Sequence, residues 1–327
     1  MNQPLLQLNQ LTVDIQTPHG VVHALRGVDL HLQAGEALAL VGESGSGKSI
    51  TALSITGLLP SGAALVDGDI LFAQQRLNAI DERAWNQLRG ARIGMVFQNP
   101  MSSFNPSMRV GDQIAEVLRA HRQISHAAAQ RRAVQLLERM RIADAAARAR
   151  QFPFEFSGGM LQRAMIAMAV ACEPALLIAD EPTTALDVTV QIEVLELLRE
   201  LRRDNGMALL LITHDLGIVA QIADRVAVMY AGQIVEQGPV ATLLHTPSHP
   251  YSKALRAALP GTDSILRAIP GTPPDLLHPP SGCAFYSRCE QAMRVCADGS
   301  VPNFSAALEH RSRCWLLHPQ RQKEVSQ

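Results

Sequence analysis

Ala37-Leu38-Ala39-Leu40-Val41-Gly42-Glu43-Ser44-Gly45-Ser46-Gly47-Lys48-Ser49 decides the fold. The five apolar residues at its start read as a buried strand. The next eight match G-x-x-x-x-G-K-S/T, the pattern of a loop that cradles phosphates. Glycine at Gly42, Gly45 and Gly47 lets the backbone turn its N–H groups inward, where a Cβ would obstruct them. Lys48 can reach the β- and γ-phosphates, and Ser49 can offer its hydroxyl to Mg²⁺. A helix-like segment, Ser49–Leu58, follows and would bring its positive N-terminal end to the anion. The remaining loop positions, Glu43, Ser44 and Ser46, belong to the same phosphate-binding set. Taken alone, the loop specifies a nucleotide and leaves kinase, GTPase and ATPase open.

Outward from this loop the chain alternates strands and helices. Leu6–Ile15 and Val21–Leu32 read as β, as do Val66–Phe72 and Ile93–Gln98. From Ser107 to Met168 helical spacing takes over, as in Ala133–Met140. Ala175–Asp180, Ala208–Thr213 and Arg225–Tyr230 read as strands, with helices at Val190–Arg203 and Asp215–Ala223 between them. Such alternation predicts an α/β core with a parallel sheet. An N-terminal β subdomain and a helical subdomain over about residues 100–172 complete it. After His245 the prolines crowd together, which argues against a continuing sheet and predicts an extension at 246–327, joined by extended segments to a nucleotide-binding domain at 1–245.

Bulk properties narrow the function. The 327 residues are 47% hydrophobic and 18% charged, enough to bury a sizeable core. Lys and Arg number 29 against 30 Asp and Glu, so the basic excess of a nucleic-acid binder is absent and no nucleic-acid partner is expected. No apolar run reaches the ~18 residues of a membrane span. The N-terminus has no basic-then-apolar signal pattern. Both features predict a cytoplasmic protein, held at a membrane only through partners.

Two acids end the strand Ala175–Asp180. Asp180 suits Mg²⁺, and Glu181 suits a general base that polarises the attacking water. His214 follows the strand Ala208–Thr213. Strand C-terminal ends gather at the ligand crevice of a parallel sheet, which places His214 near the γ-phosphate.

With these motifs in this order, the chain resembles the nucleotide-binding subunits of ABC transporters over about residues 5–245. Gln98 in Val96-Phe97-Gln98-Asn99-Pro100 resembles the Q-loop, whose glutamine attends Mg²⁺ and water and links to the membrane subunits. Phe156-Ser157-Gly158-Gly159-Met160-Leu161-Gln162-Arg163 resembles the signature motif, with Met160 where glutamine is usual. Ser157, Gly158 and Gly159 there imply contact with the γ-phosphate of ATP held by a second cassette. Ala185-Leu186-Asp187 resembles the D-loop, and His214 the switch histidine. The aromatic residue that stacks on adenine in the family has no good match at His19 or Val22.

Further segments resemble the dipeptide/oligopeptide/nickel importer group. They are Asn99-Pro100-Met101-Ser102-Ser103-Phe104-Asn105-Pro106, Ser248-His249-Pro250-Tyr251-Ser252-Lys253-Ala254-Leu255 and Ile269-Pro270-Gly271-Thr272-Pro273-Pro274. This resemblance implies ATP hydrolysis coupled to uptake of peptides or a related solute. It also implies two transmembrane permease subunits, a second ATPase in a heterodimer and an extracytoplasmic solute-binding protein. The location implied is peripheral, on the cytoplasmic face of the inner membrane. A soluble ABC ATPase acting on nucleic acid or ribosomes would usually carry tandem cassettes or basic arms. A GTPase would need N-K-x-D, which the sequence lacks.

Of the five cysteines, Cys172 lies in an apolar stretch and reads as core. Cys283, Cys289, Cys296 and Cys314 are spaced C-x5-C, C-x6-C and C-x17-C, unlike ordinary zinc pairs or ferredoxin runs. Spacing leaves metal binding and small buried residues equally open. A short proline-rich tail needs a staple, and four thiolates can hold Zn²⁺ or a 4Fe–4S cluster. The importer resemblance implies the cluster.

Overall fold

The computed structural model describes residues 3–184, 186–258 and 269–319. By compactness these fall into two units. One comprises residues 3–32, 37–78, 213–258 and 269–319; the other comprises 33–36, 79–184 and 186–212.

In the first unit, Leu6–Thr17 and Gly20–Leu32 form an antiparallel pair, with Thr17 opposite Gly20. Leu6–Thr17 also pairs with Ala63–Phe72, which carries the short strand Gln75–Arg76 at its edge. Leu6, Leu8, Leu11 and Val13 are almost wholly buried, the inward face of a strand with period two interrupted by a bulge. This is the expected N-terminal β subdomain.

The same unit holds Ala37–Val41, parallel to Arg225–Tyr230. All five residues of Ala37–Val41 are buried, as a strand covered on both faces requires. Arg225–Tyr230 pairs antiparallel with Gln233–Pro239, a strand the sequence reading did not place.

The C-terminal extension corrects one expectation. Proline density argued against a continuing sheet, yet His310–Ser312 pairs with Gln233–Pro239, and Phe304–Ala307 pairs with His310–Ser312. All the prolines after His245 except Pro319 lie before these strands, so they interrupt the chain without blocking the later pairing. A buried hydrogen bond pins the join: His310 Nε2 lies 2.7 Å from a Glu236 carboxylate oxygen. The Glu236 carboxylate also accepts the N–H groups of Ser248 (2.6 Å) and His249 (3.0 Å). Tyr251, Ala284 and Phe285 pack in one apolar cluster with Val226, Val228 and Tyr230. The extension is therefore built into the core of this unit.

In the second unit, Ile93–Val96, Leu176–Asp180 and Ala208–Thr213 run parallel, with Met95 opposite Ile178 and Ile178 opposite Leu210. Helices Val110–His121, His126–Arg139 and Gly158–Ala169 form the helical subdomain. The long helix Val188–Asn205 buries Val194, Leu195, Leu197, Leu198 and Leu201, a helical apolar face. Among the described residues, no helix is long and apolar enough to cross a membrane.

Candidate functional site

In the first unit, the parallel pairing of Ala37–Val41 with Arg225–Tyr230 delivers the loop 42–49 beside Met229. The approach is tight. A Cβ on Gly42 would stand 2.1 Å from the Met229 carbonyl oxygen, and one on Gly47 2.8 Å from a Leu25 methyl. Gly47 also has φ +108 at the N-cap of the helix Lys48–Thr56, a conformation that favours glycine. Ser44, Gly45 and Ser49 are exposed, while Ser46 and Lys48 are buried. Lys48 Nζ donates to the carbonyls of Gly42 (2.8 Å) and Glu43 (2.9 Å), spanning the base of the loop. His214 is exposed just past its strand, next to Asp215. Asp215 caps the helix Leu216–Ile222 by accepting the Gly217 and Ile218 N–H groups.

In the second unit, parallel register brings the ends of Ile93–Val96 and Leu176–Asp180 to one edge. Gln98 and Glu181 meet there: Gln98 Nε2 donates to Glu181 Oε2 at 3.1 Å. Thr184 Oγ1 donates to the same oxygen at 2.9 Å. Glu181 itself is left-handed, with φ 48, and its N–H bonds to the Ile212 carbonyl at 2.8 Å. A non-glycine residue held there costs about 1 kcal/mol or more, and such residues cluster at functional sites. Asp180, one residue earlier, is buried.

The signature segment also lies in this unit. Ser157 is exposed and caps the helix Gly158–Ala169, its Oγ accepting the Met160 N–H at 3.3 Å. A Cβ on Gly159 would stand 2.7 Å from Val190, so glycine admits the neighbouring helix there. Arg163 pairs with Glu193 of that helix at 2.9 Å. Asp187 caps Val188–Asn205 by accepting the Val190 N–H. Of the D-loop resemblance, Ala185 lies outside the described residues.

The four clustered cysteines belong to the first unit and line one cavity together with His249, Phe285 and Trp315. Burial pushes the Cys283 and Cys314 thiols up to about 11, and charge on the neighbouring cysteines adds to the shift. Burial raises Cys289 as well. As they stand, no three or more His, Cys, Asp or Glu groups among the described residues are placed to hold a metal ion. The four sulfur atoms thus share one cavity without forming a metal-holding group as they stand.

Sequence reasoning missed Thr184, Tyr251 as a chemical group, and Arg288. Tyr251 OH accepts the Glu43 N–H at 2.9 Å, and Arg288 binds the Glu43 carboxylate. One signal was available: an acid inside a phosphate loop calls for a cation, and none adjoins it in sequence.

A glycine-cornered loop after a buried strand has the pattern of a phosphate loop in an α/β nucleotide-binding cassette. The family descriptions "ABC transporter" and "Oligopeptide/dipeptide transporter, C-terminal region" match residues 25–184 and 235–296. The oligopeptide transport ATP-binding protein OppD of Bacillus subtilis is 50% identical over 324 residues, covering 98% of this chain and 90% of its own. The dipeptide transport ATP-binding protein DppD of the same organism is 47% identical, covering 96% and 95%. Among solved structures, the ATP-binding cassette MJ0796, a dimer in a post-hydrolysis state bound to ADP and Pi, superposes with a TM-score of 0.66 at 26% identity. It covers 72% of this chain and 98% of that one. The chain belongs to the ABC transporter family, among its oligopeptide/dipeptide transport ATP-binding proteins. It is an ATP-hydrolysing subunit with the P-loop cassette fold its sequence predicts.

Proposed function

We propose that this chain powers the uptake of dipeptides or oligopeptides by hydrolysing ATP on the cytoplasmic face of the cell membrane. The observation that carries the reading is the 50% identity to OppD, which runs through the C-terminal extension as well as the cassette. The partners are two transmembrane permease subunits, a second ATPase and an extracytoplasmic solute-binding protein. Phe97 and Met101, exposed on either side of the Gln98 segment, offer apolar contacts to a permease.

Each site residue then has a role. The loop 42–49 and the Lys48 ammonium hold the phosphates of ATP. Ser49 and Asp180 hold Mg²⁺, with Gln98 attending the ion and the water. Glu181 takes the proton of the attacking water, and His214 contacts the γ-phosphate. Ser157, Gly158 and Gly159 serve the γ-phosphate of the partner cassette's ATP. Two cassettes joined by ATP and released by its hydrolysis convert chemistry into movement of the membrane subunits.

Labelled-peptide uptake tests the reading. Cells lacking the gene should lose uptake of dipeptides or short oligopeptides and regain it with the wild-type gene. Uptake indifferent to the gene would redirect attention to nickel, glutathione or D-Ala-D-Ala as cargo.

Cys283, Cys289, Cys296 and Cys314 are proposed as the ligands of a 4Fe–4S cluster, with Zn²⁺ the alternative occupant. Their convergence on one cavity supports this. Bound there, the centre would staple a segment made of short strands and 3₁₀ turns. Anaerobically purified chain should carry about four irons, lost when Cys296 is replaced by Ser. A folded, iron-free, zinc-bearing preparation would assign the site to zinc.

A further inference from the structure

Glu43 is a carboxylate inside a loop whose task is to bind anions. Unopposed, it would repel the phosphates at short range, where Coulomb terms are large. It is opposed from 245 residues away in sequence. Arg288 Nη1 donates to Glu43 Oε2 at 2.8 Å and Nη2 donates to Oε1 at 3.1 Å, a two-pronged fork. The guanidinium is itself fixed by the extension. Its Nε donates to the Pro270 carbonyl (2.8 Å), Nη2 to the Ile269 carbonyl (3.3 Å) and Nη1 to Tyr230 OH (3.1 Å). The Arg288 side chain is only 4% exposed, unlike half-exposed pairs such as Arg141–Glu200. Burial works against its charge, but hydrogen bonds to Glu43 and Tyr230 outweigh it and hold Arg288 protonated.

The extension grips the backbone of the same residue. Tyr251 OH accepts the Glu43 N–H at 2.9 Å, and its ring packs on Tyr230 and Phe285 with centroids 4.5 and 5.3 Å away. His249 caps the helix Pro250–Ala257 that carries Tyr251, its Nδ1 accepting the Tyr251 N–H at 3.1 Å. So the acid's side chain and its amide are both held by residues of the extension. Arg288 sits in the 3₁₀ turn Tyr286–Arg288, between Cys283 and Cys289.

We propose that Arg288 and Tyr251 are positioning residues for ATP: the C-terminal extension clamps Glu43, neutralising its charge and fixing the entrance of the phosphate loop. The clamp makes ATP affinity a property of the extension as well as of the cassette. This rests on the ATPase reading above.

The test measures, on the full chain, the dissociation constant for Mg-ATP, kcat and the unfolding temperature. Arg288→Gln should weaken ATP binding about tenfold, the scale of one lost charge-assisted bond, with kcat at saturating ATP changed less than about twofold. Arg288→Lys, which restores the charge without the fork, should recover part of the affinity. In a Glu43→Ala background there is no carboxylate to neutralise, so Arg288→Gln should change affinity by less than about twofold. Tyr251→Phe removes only the hydroxyl and should weaken binding about threefold, and it carries the test should Arg288→Gln not fold. Affinities within twofold of wild type in both Arg288→Gln and Tyr251→Phe, with a lowered unfolding temperature, would make the contact a structural tether and overturn the clamp alone. Wild-type chain that neither binds nor hydrolyses ATP would overturn both readings.

Discussion

Glu181→Gln is expected to lower ATP turnover by about 100-fold or more while ATP still binds. The substitution changes basicity and little else. Glutamine keeps the length of the side chain, and its amide oxygen can still accept from Gln98 Nε2 and Thr184 Oγ1, which now meet at Glu181 Oε2. The backbone at φ 48 is held by the Glu181 N–H bond to Ile212, which the side chain does not touch. Binding should survive because the residues proposed to hold the phosphates lie elsewhere in sequence, at 42–49. Turnover should not, because a neutral amide cannot take a proton from water. The measurement is kcat beside the ATP dissociation constant for wild type and variant. Hydrolysis at the wild-type rate would move the base to another group. A loss of binding equal to the loss of turnover would make Glu181 a structural acid.

The cassette was legible because its chemistry is local. A phosphate loop must be a short glycine-cornered run between a buried strand and a helix, so Ala37–Ser49 carries its own context. The acid pair at Asp180 and Glu181 was legible for the same reason, as polar residues closing an apolar strand. The pairing of Gln98 with Glu181 depends on parallel register between Ile93–Val96 and Leu176–Asp180, which the sequence only implies. What stayed hidden was non-local. Arg288 meets Glu43 across 245 residues, and nothing in the spacing of either announces the other. The strands Phe304–Ala307 and His310–Ser312 are three or four residues long and lie beyond a proline-rich stretch, too short for alternation to mark them. Their pairing is dictated by the edge they find on Gln233–Pro239, which is a tertiary fact. Tyr251 was visible as part of a subfamily pattern, but the reach of its hydroxyl to the Glu43 N–H was not.

Gly42→Ala is expected to weaken ATP binding by about 100-fold. The reason is a backbone collision. The new methyl would stand 2.1 Å from the Met229 carbonyl oxygen and 2.9 Å from Ser46 Oγ. The Ser46 hydroxyl can rotate away, but the Met229 carbonyl cannot, because Arg225–Tyr230 is held by Ala37–Val41 on one side and Gln233–Pro239 on the other. The loop must therefore give way by more than an ångström. Displacements of that size at a positioned site are worth about two orders of magnitude. The shift also strikes Lys48, whose Nζ takes the Gly42 carbonyl at 2.8 Å, so the ammonium moves with the loop it is meant to complete. Gly45→Ala is the control within the same motif: no atom lies within 4 Å of its new Cβ, leaving only the strain of φ +76. Its binding defect should be much smaller, since αL strain in a single residue costs about 1–2 kcal/mol and can relax into open space. Equal defects in the two variants would mean that backbone strain, and not the contact with Met229, sets the shape of the phosphate loop. A large defect at Gly42 alone would place that shape in the packing of the loop against the neighbouring strand.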